Sequence, residues 1–213
     1  MKKPSILLAD DHSLILAGLR KLVEGECDVV GTVEDGRALV EAAQKLRPDL
    51  ILLDIAMPRL NGLDAARQLR TLVPDSKIIF LTMHASSTYA TEAFQAGASG
   101  YLLKHSAAEE LGQAIKCVLQ GRHYLTPLLT KEVMDSVLSP STGERGTATA
   151  LTPRQREVLQ LVAEGHGTKA IATILSLSVK TVEFHKARIM QQLDLHNVAD
   201  LTKYAITQGL TSL

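Results

Sequence analysis

The chain contains no tryptophan, three phenylalanines and four tyrosines. That scarcity disfavours a protein that grips single strands by stacking bases on aromatic rings. Its two cysteines, Cys27 and Cys117, are too few and too far apart for a disulfide scaffold or a zinc site. Each is expected to pack as a small core residue. Neither sign of charge dominates: 23 Lys+Arg balance 23 Asp+Glu. No whole-chain field therefore directs the protein to nucleic acid or to a membrane. Long apolar runs are also missing. Ile6-Leu7-Leu8-Ala9 is cut by Asp10 and Asp11, which does not read as a signal peptide. No stretch reaches the ~20 apolar residues of a membrane span. These absences point to a cytoplasmic protein with no membrane partner. What remains is 213 residues, 46% hydrophobic and 22% charged, enough for one large or two small globular domains.

The first part of the chain alternates two periods. Short apolar runs at 5–9, 28–33, 50–53, 77–81 and 100–103 are separated by segments of helical period at 13–24, 37–46, 62–72, 87–96 and 107–120. Runs that are apolar throughout, joined by helices, predict βαβ units and a five-stranded parallel sheet covered on both faces, a doubly wound α/β domain. Residues 1–121 are assigned to it. A short helix is expected near 128–138, followed by the polar stretch Ser139-Pro-Ser-Thr-Gly-Glu-Arg-Gly-Thr-Ala-Thr149, so 122–150 reads as a linker with a flexible segment. From Leu151 to Leu213 the pattern is all helix, a small four-helix domain whose first helix opens with Thr152 as N-cap and Pro153 in the first turn.

The informative residues of the first domain stand where strands end. Asp10 and Asp11 follow the first run, Asp54 the third, Thr82 the fourth and Lys104 the fifth. Ligands of open parallel sheets bind outside the carboxyl ends of the strands, so these side chains converge on one crevice. Three neighbouring carboxylates repel one another, and a hard divalent cation such as Mg²⁺ relieves that repulsion while accepting oxygen ligands. Asp54 is then placed as a nucleophile toward phosphorus, forming an aspartyl phosphate. Lys104 pairs with the phosphate and the Thr82 hydroxyl donates to another phosphoryl oxygen. Pro58 fixes the loop after the nucleophile.

Asp10-Asp11, Asp54-x-x-Met57-Pro58, Asn61-Gly62, Thr82 and Tyr101-x-x-Lys104 together resemble the receiver domain of two-component response regulators, over about residues 4–120. The resemblance implies a flavodoxin-like fold with strand order 2-1-3-4-5 and phosphorylation of Asp54. It also implies a metal held by Asp10, Asp11, Asp54 and the backbone carbonyl of Ala56, and a switch in which the Thr82 hydroxyl moves toward the phosphoryl group while Tyr101 swings inward. Tyr101 packing at a strand end with its hydroxyl in water stays open as an alternative. An aspartyl-phosphate hydrolase would need a second acidic residue shortly after the nucleophile, where Ala56 stands.

In the last domain, helices at 168–175 and 179–193 flank a tight Ser176-Leu177-Ser178 turn, the shape of a helix-turn-helix. Residues 151–213 carry seven Lys+Arg against five Asp+Glu, a weak positive balance. Leu151-Thr-Pro-Arg-Gln-Arg-Glu157-Val-Leu, Glu164-Gly165, Lys169-x-Ile171-Ala172 and Ser178-Val-Lys-Thr-Val182-x-x-His185 resemble the LuxR-type DNA-binding domain. Ala170 and His196-Asn197 depart from the usual pattern, which puts in doubt a salt bridge and a DNA-backbone contact. The resemblance implies that the third helix enters the major groove of double-stranded promoter DNA. Lys169, Lys180, Thr181, His185, Lys186 and Arg188 are candidates for phosphate contacts, and Glu183, Phe184 and Ala187 for base edges. His185 half-buried in the bundle is the competing reading. Leu201, Tyr204, Ala205 and Ile206 divide between the core and a dimer seam.

Receiver, linker and LuxR-type domain in that order are similar to the NarL/FixJ group. The similarity implies a sensor histidine kinase as phosphoryl donor, a homodimer when phosphorylated, RNA polymerase as a further partner, and no enzymatic activity beyond the receiver's own phosphorylation and dephosphorylation. A constitutive DNA binder that uses the receiver only for dimerisation is the alternative.

Overall fold

The computed structural model describes residues 3–138 and 151–211, which form two compact units, one built on a sheet and one wholly helical. The sheet contains β1 (Ser5–Ala9), β2 (Asp28–Val33), β3 (Leu50–Leu53), β4 (Lys77–Thr82), β5 (Gly100–Leu103) and β6 (Tyr124–Leu125), all parallel, in the order β2-β1-β3-β4-β5-β6. Apart from Ser5 and Lys77, every residue of β1, β3, β4 and β5 is buried. Both faces are covered, which is why these strands read as unbroken apolar runs. The edge strand β2 instead alternates exposed and half-buried positions.

On one face lie α1 (Ser13–Val23) and α5 (Ala107–Leu119). Leu16, Leu19 and Val23 of α1 and Leu111, Ile115 and Val118 of α5 pack on Ile6, Leu8, Leu50, Leu52, Ile79, Leu81 and Leu102. Each such aliphatic side chain, fully buried, contributes roughly 1.5–3 kcal/mol of transfer free energy. The alternate strand residues, including Leu7, Ile51, Leu53, Phe80 and Tyr101, are buried on the other face. There α2 (Gly36–Leu46), α3 (Gly62–Leu72) and α4 (Ser87–Ala96) pack in succession. Asp35 starts α2 by accepting the Arg37 and Ala38 amides.

The sixth strand departs from the expected five. Residues 124–125 fall in the segment read as linker, yet Tyr124 and Leu125 pair with Gly100 and Tyr101 of β5. The Thr126 hydroxyl donates to Glu110 Oε2 at 2.6 Å and the Tyr124 hydroxyl reaches the same oxygen at 3.2 Å, fastening β6 to α5. A two-residue strand has no period of its own; its conformation is set by the free edge of β5 and by Glu110. The chain continues into α6 (Pro127–Leu138), which packs against α4. The polar segment 139–149 lies outside the described residues.

The helical unit consists of α7 (Pro153–Ala163), α8 (Thr168–Leu175), α9 (Val179–Leu193) and α10 (Val198–Thr207). Thr152 caps α7 in a reciprocal box with Gln155, and Pro153 occupies its first turn as expected. Val158, Leu161, Ile171, Leu175, Val182, Ile189, Leu201 and Ala205 close the core. Arg154 reaches Glu157 and the Leu175 carbonyl, both at 2.6 Å, tying α7 to the end of α8. Asn197 caps α10 by accepting the Asp200 amide, which gives that departure from the usual pattern a local purpose. Among the described residues, no helix is long and apolar enough to cross a membrane. Cys27 is buried as expected, whereas Cys117 is only half-buried, its thiol directed at the His123 carbonyl 3.4 Å away.

Candidate functional site

Parallel pairing of β1, β3, β4 and β5 brings their carboxyl ends to one edge. Asp10 leaves β1 1% exposed, Asp54 leaves β3 5% exposed, Thr82 ends β4 fully buried, and Lys104 follows β5 in a single 3-10 turn. The Lys104 ammonium sits between two carboxylates, 2.6 Å from Asp54 Oδ2 and 2.7 Å from Asp10 Oδ2. The other Asp54 oxygen, Oδ1, accepts the Ile55 amide at 2.6 Å. Burial raises the Asp54 pKa above the ordinary carboxylate value, an effect the Lys104 contact opposes. For Lys104, burial works to lower the pKa, but its hydrogen bonds to Asp10 and Asp54 prevail and raise it. The two short contacts hold the ammonium between the carboxylates.

Asp11 lies on the solvent side of this group. Its Oδ1 is 2.7 Å from His12 Nδ1, and the His12 amide donates to Asp10 Oδ1 at 3.0 Å. Ligand atoms of Asp10, Asp11 and His12 all fall within 4.8 Å of one another. His12 is a member of the pocket that the sequence pattern does not single out, because an exposed histidine after two aspartates carries no periodic signal. The loop leaving Asp54 turns back through Ala56. The Met57 and Gly62 amides both donate to the Ile55 carbonyl, at 3.2 and 2.8 Å. Gly62 is where α3 passes against this loop: a Cβ there would stand 2.0 Å from the Asp54 carbonyl oxygen. The sequence marks Gly62 as a motif position; the structure supplies the reason.

Tyr101 is fully buried on the α4 face, and its hydroxyl donates to the His84 carbonyl at 2.7 Å. The ring therefore lies inside the protein, not at a strand end with its hydroxyl in water. Burial, reinforced by Tyr89 and Asp54, pushes its pKa far upward, so it stays a neutral donor. The His84 amide donates in turn to Thr82 Oγ1 at 3.2 Å, and the His84 ring stacks on Tyr89 of α4 at 4.6 Å. Thr82 and Tyr101 are thus joined through one residue, His84, which no sequence motif identified. Accepting that bond leaves the Thr82 hydroxyl proton free to donate toward the pocket.

In the helical unit, α8 ends at Ser176 in the left-handed conformation, and Ser178 caps α9 by accepting the Thr181 amide. Val182 and Ile189 turn into the core. Lys169 on α8 and Lys180, Glu183, Phe184, Ala187 and Arg188 on α9 are exposed, while Thr181, His185 and Lys186 are half-buried. Of the nine candidate DNA-contact residues, Lys169 lies on α8 and the other eight on α9, where His185 and Lys186 share the side of the helix that Val182 and Ile189 turn to the core. The His185 ring meets the Phe184 ring edge-on at 5.9 Å. On α10, Leu201 and Ala205 belong to the core and Tyr204 and Ile206 are half-buried.

Comparison with known proteins bears on both units. Residues 6–116 match the response regulator receiver domain, and residues 149–205 match the luxR family of bacterial regulatory proteins. The transcriptional regulatory protein DegU of Brevibacillus brevis is 35% identical, over 97% of this chain and 94% of its own. The oxygen regulatory protein NreC of Staphylococcus carnosus is 36% identical, over 96% of this chain and 98% of its own. Among solved structures, the RcsB response regulator of Salmonella typhimurium aligns with a TM-score of 0.60 at 27% identity, covering 97% of this chain and all of that one. An RcsB–DNA complex aligns with the same TM-score at 26% identity, over 97% and 99% of the two chains. The chain belongs to the two-component response regulators of the NarL/FixJ group, with a receiver domain followed by a LuxR-type DNA-binding domain.

Proposed function

We propose that this response regulator accepts a phosphoryl group on Asp54 and thereby switches promoter binding by its C-terminal domain. The observation that carries the reading is the Lys104 ammonium held 2.6 and 2.7 Å from Asp54 and Asp10, at the carboxyl edge of the parallel sheet. A carboxylate oxygen of Asp54 attacks phosphorus; the Asp54 O–P bond forms as the donor's bond to phosphorus breaks, and the leaving group departs with that electron pair. Lys104 then moves its donors from Asp54 to a phosphoryl oxygen, and the Thr82 hydroxyl donates to another. Drawing Thr82 toward phosphorus loosens its bond to the His84 amide and, through the His84 carbonyl, the hold on Tyr101. The added charge of about −1.5 to −2 thus biases the segment between β4 and α4.

The donor set fits a hard divalent cation such as Mg²⁺: oxygen ligands only, from Asp10, Asp11, Asp54 and the Ala56 carbonyl. Bound there, it offsets negative charge on the phosphoryl oxygens. His12 Nδ1, 2.7 Å from Asp11 Oδ1, is a nitrogen donor, which suits a hard cation less well than the oxygens around it.

On this reading a sensor histidine kinase supplies the phosphoryl group. Phosphorylated chains dimerise so that two copies of α9 meet paired half-sites on double-stranded DNA, where promoter-bound protein meets RNA polymerase. The boundaries belong to the reading: a receiver over 1–121, a connecting segment over 122–150 whose β6 completes the receiver sheet, and the DNA-binding domain over 151–213. Purified protein with Mg²⁺ and acetyl phosphate tests it, with intact mass and light scattering measured on wild type and Asp54→Asn. One phosphoryl adduct on wild type alone, with a shift toward dimer, is expected. No adduct from acetyl phosphate or from a phosphorylated kinase would refute it and leave a constitutive DNA binder.

A further inference from the structure

α9 spends an aromatic ring on solvent. The chain has only three phenylalanines, yet Phe184 is 61% exposed on the outer side of this helix, while Val182 and Ile189 fill the core. One turn further on, the Arg188 guanidinium lies over the Phe184 ring, 5.9 Å from its centroid. Four residues along a helix differ by about 40° in direction and about 6 Å in height, so the two side chains share a face. This contact limits the rotamers of Arg188, whose side chain is exposed.

We propose that Phe184 and Arg188 act as one specificity-determining unit that reads a thymine and a guanine in the major groove. This rests on the reading of α9 as the DNA-recognition helix. The phenyl ring covers the thymine 5-methyl group, and the Arg188 fork donates to guanine O6 and N7. Their separation of about 6 Å along the helix corresponds to neighbouring base pairs or to pairs two steps apart, given about 3.4 Å per step. Arg188 is thereby moved from the phosphate contacts, where the sequence pattern put it, to a base contact. An arginine laid over an exposed ring has fewer rotamers to lose when its fork pairs with the planar O6/N7 edge of guanine.

The test uses the full chain, treated with Mg²⁺ and acetyl phosphate, and the duplexes it selects from a random DNA library. Replacing thymine by uracil at one conserved position of the selected site removes a single methyl group and should weaken wild type about fourfold. Replacing a guanine one or two pairs away by 7-deazaguanine should weaken it about tenfold. Phe184→Ala should bind thymine and uracil sites equally. Arg188→Met should lose the 7-deazaguanine effect while keeping the salt dependence of binding. If Arg188→Met instead lowers the salt slope by about one and still responds to 7-deazaguanine, Arg188 holds a phosphate and the proposal fails. It fails equally if no thymine is sensitive to its methyl group, or if Phe184→Ala abolishes dimerisation but leaves base preference intact, which would make the ring a protein contact. Selection of no duplex by wild type would instead refute the DNA-binding reading itself.

Discussion

Replacing Gly62 by alanine tests the packing beneath the acidic pocket. The added methyl carbon would stand 2.0 Å from the Asp54 carbonyl oxygen, 2.9 Å from its carbon and 3.0 Å from Ile55 Cα. All three are backbone atoms, so no rotamer change relieves the clash. A carbon–oxygen contact needs roughly 3.2 Å, so the start of α3 and the Asp54 loop must part by more than 1 Å. The Gly62 amide bond to the Ile55 carbonyl, now 2.8 Å, then stretches beyond hydrogen-bonding range. Losing it costs about 1 kcal/mol, and overpacking adds about 1–3 kcal/mol, for a total of about 2–4 kcal/mol. Urea unfolding followed by circular dichroism reads this loss in the receiver transition, and acetyl-phosphate labelling reads displacement of Asp54. Gly18 on the exposed side of α1, where a Cβ meets nothing within 4 Å, supplies the control: Gly18→Ala should stabilise by about 0.5–1 kcal/mol. A Gly62→Ala protein within about 0.5 kcal/mol of wild type, labelled at the normal rate, would refute the reasoning.

Three further outcomes follow from the same geometry. Lys104→Ala leaves two buried carboxylates facing each other and should destabilise the receiver by about 3–5 kcal/mol, part of which Mg²⁺ restores; thermal melts with and without the ion decide it. Tyr101→Phe removes the donor to the His84 carbonyl and should cost about 1–2 kcal/mol, measured by urea titration, while Asp54 still takes up phosphate at the normal rate. Burial lifts the Cys27 thiol from the ordinary 9.0 to about 11. Because the folded state holds the proton more tightly, this stabilisation is complete below pH 9 and fades as pH rises through 11. At pH 8, roughly one Cys27 in a thousand is thiolate, so iodoacetamide followed by peptide mapping should label Cys117 well before Cys27.

How much of this was legible in one dimension depends on the kind of signal. Ile51 and Leu52 announce a buried strand because both faces of the sheet are covered, and such runs contain no polar residue. Asp10, Asp54, Thr82 and Lys104 were legible as neighbours because a parallel sheet sends every strand end to the same edge. The start of α7 was readable because Thr152 and Pro153 act within one turn, to which the structure adds the Gln155 side chain. What escaped depends on backbone groups or on partners far along the chain. His84 matters through its amide and carbonyl, which any residue would supply. Tyr124 and Leu125 are a strand only because β5 lies beside them. His12 joins the pocket through a side-chain direction that spacing does not encode.

The sixth strand also sets where the receiver can be cut. With β6 in place, the Ser99 and Tyr101 carbonyls are occupied by the Tyr124 and Thr126 amides. A fragment ending at Gly121 would strip those partners from β5 and leave its edge carbonyls unpaired. Such an edge recruits strands from other molecules, so the shorter fragment would aggregate where one extending through α6 stays monodisperse.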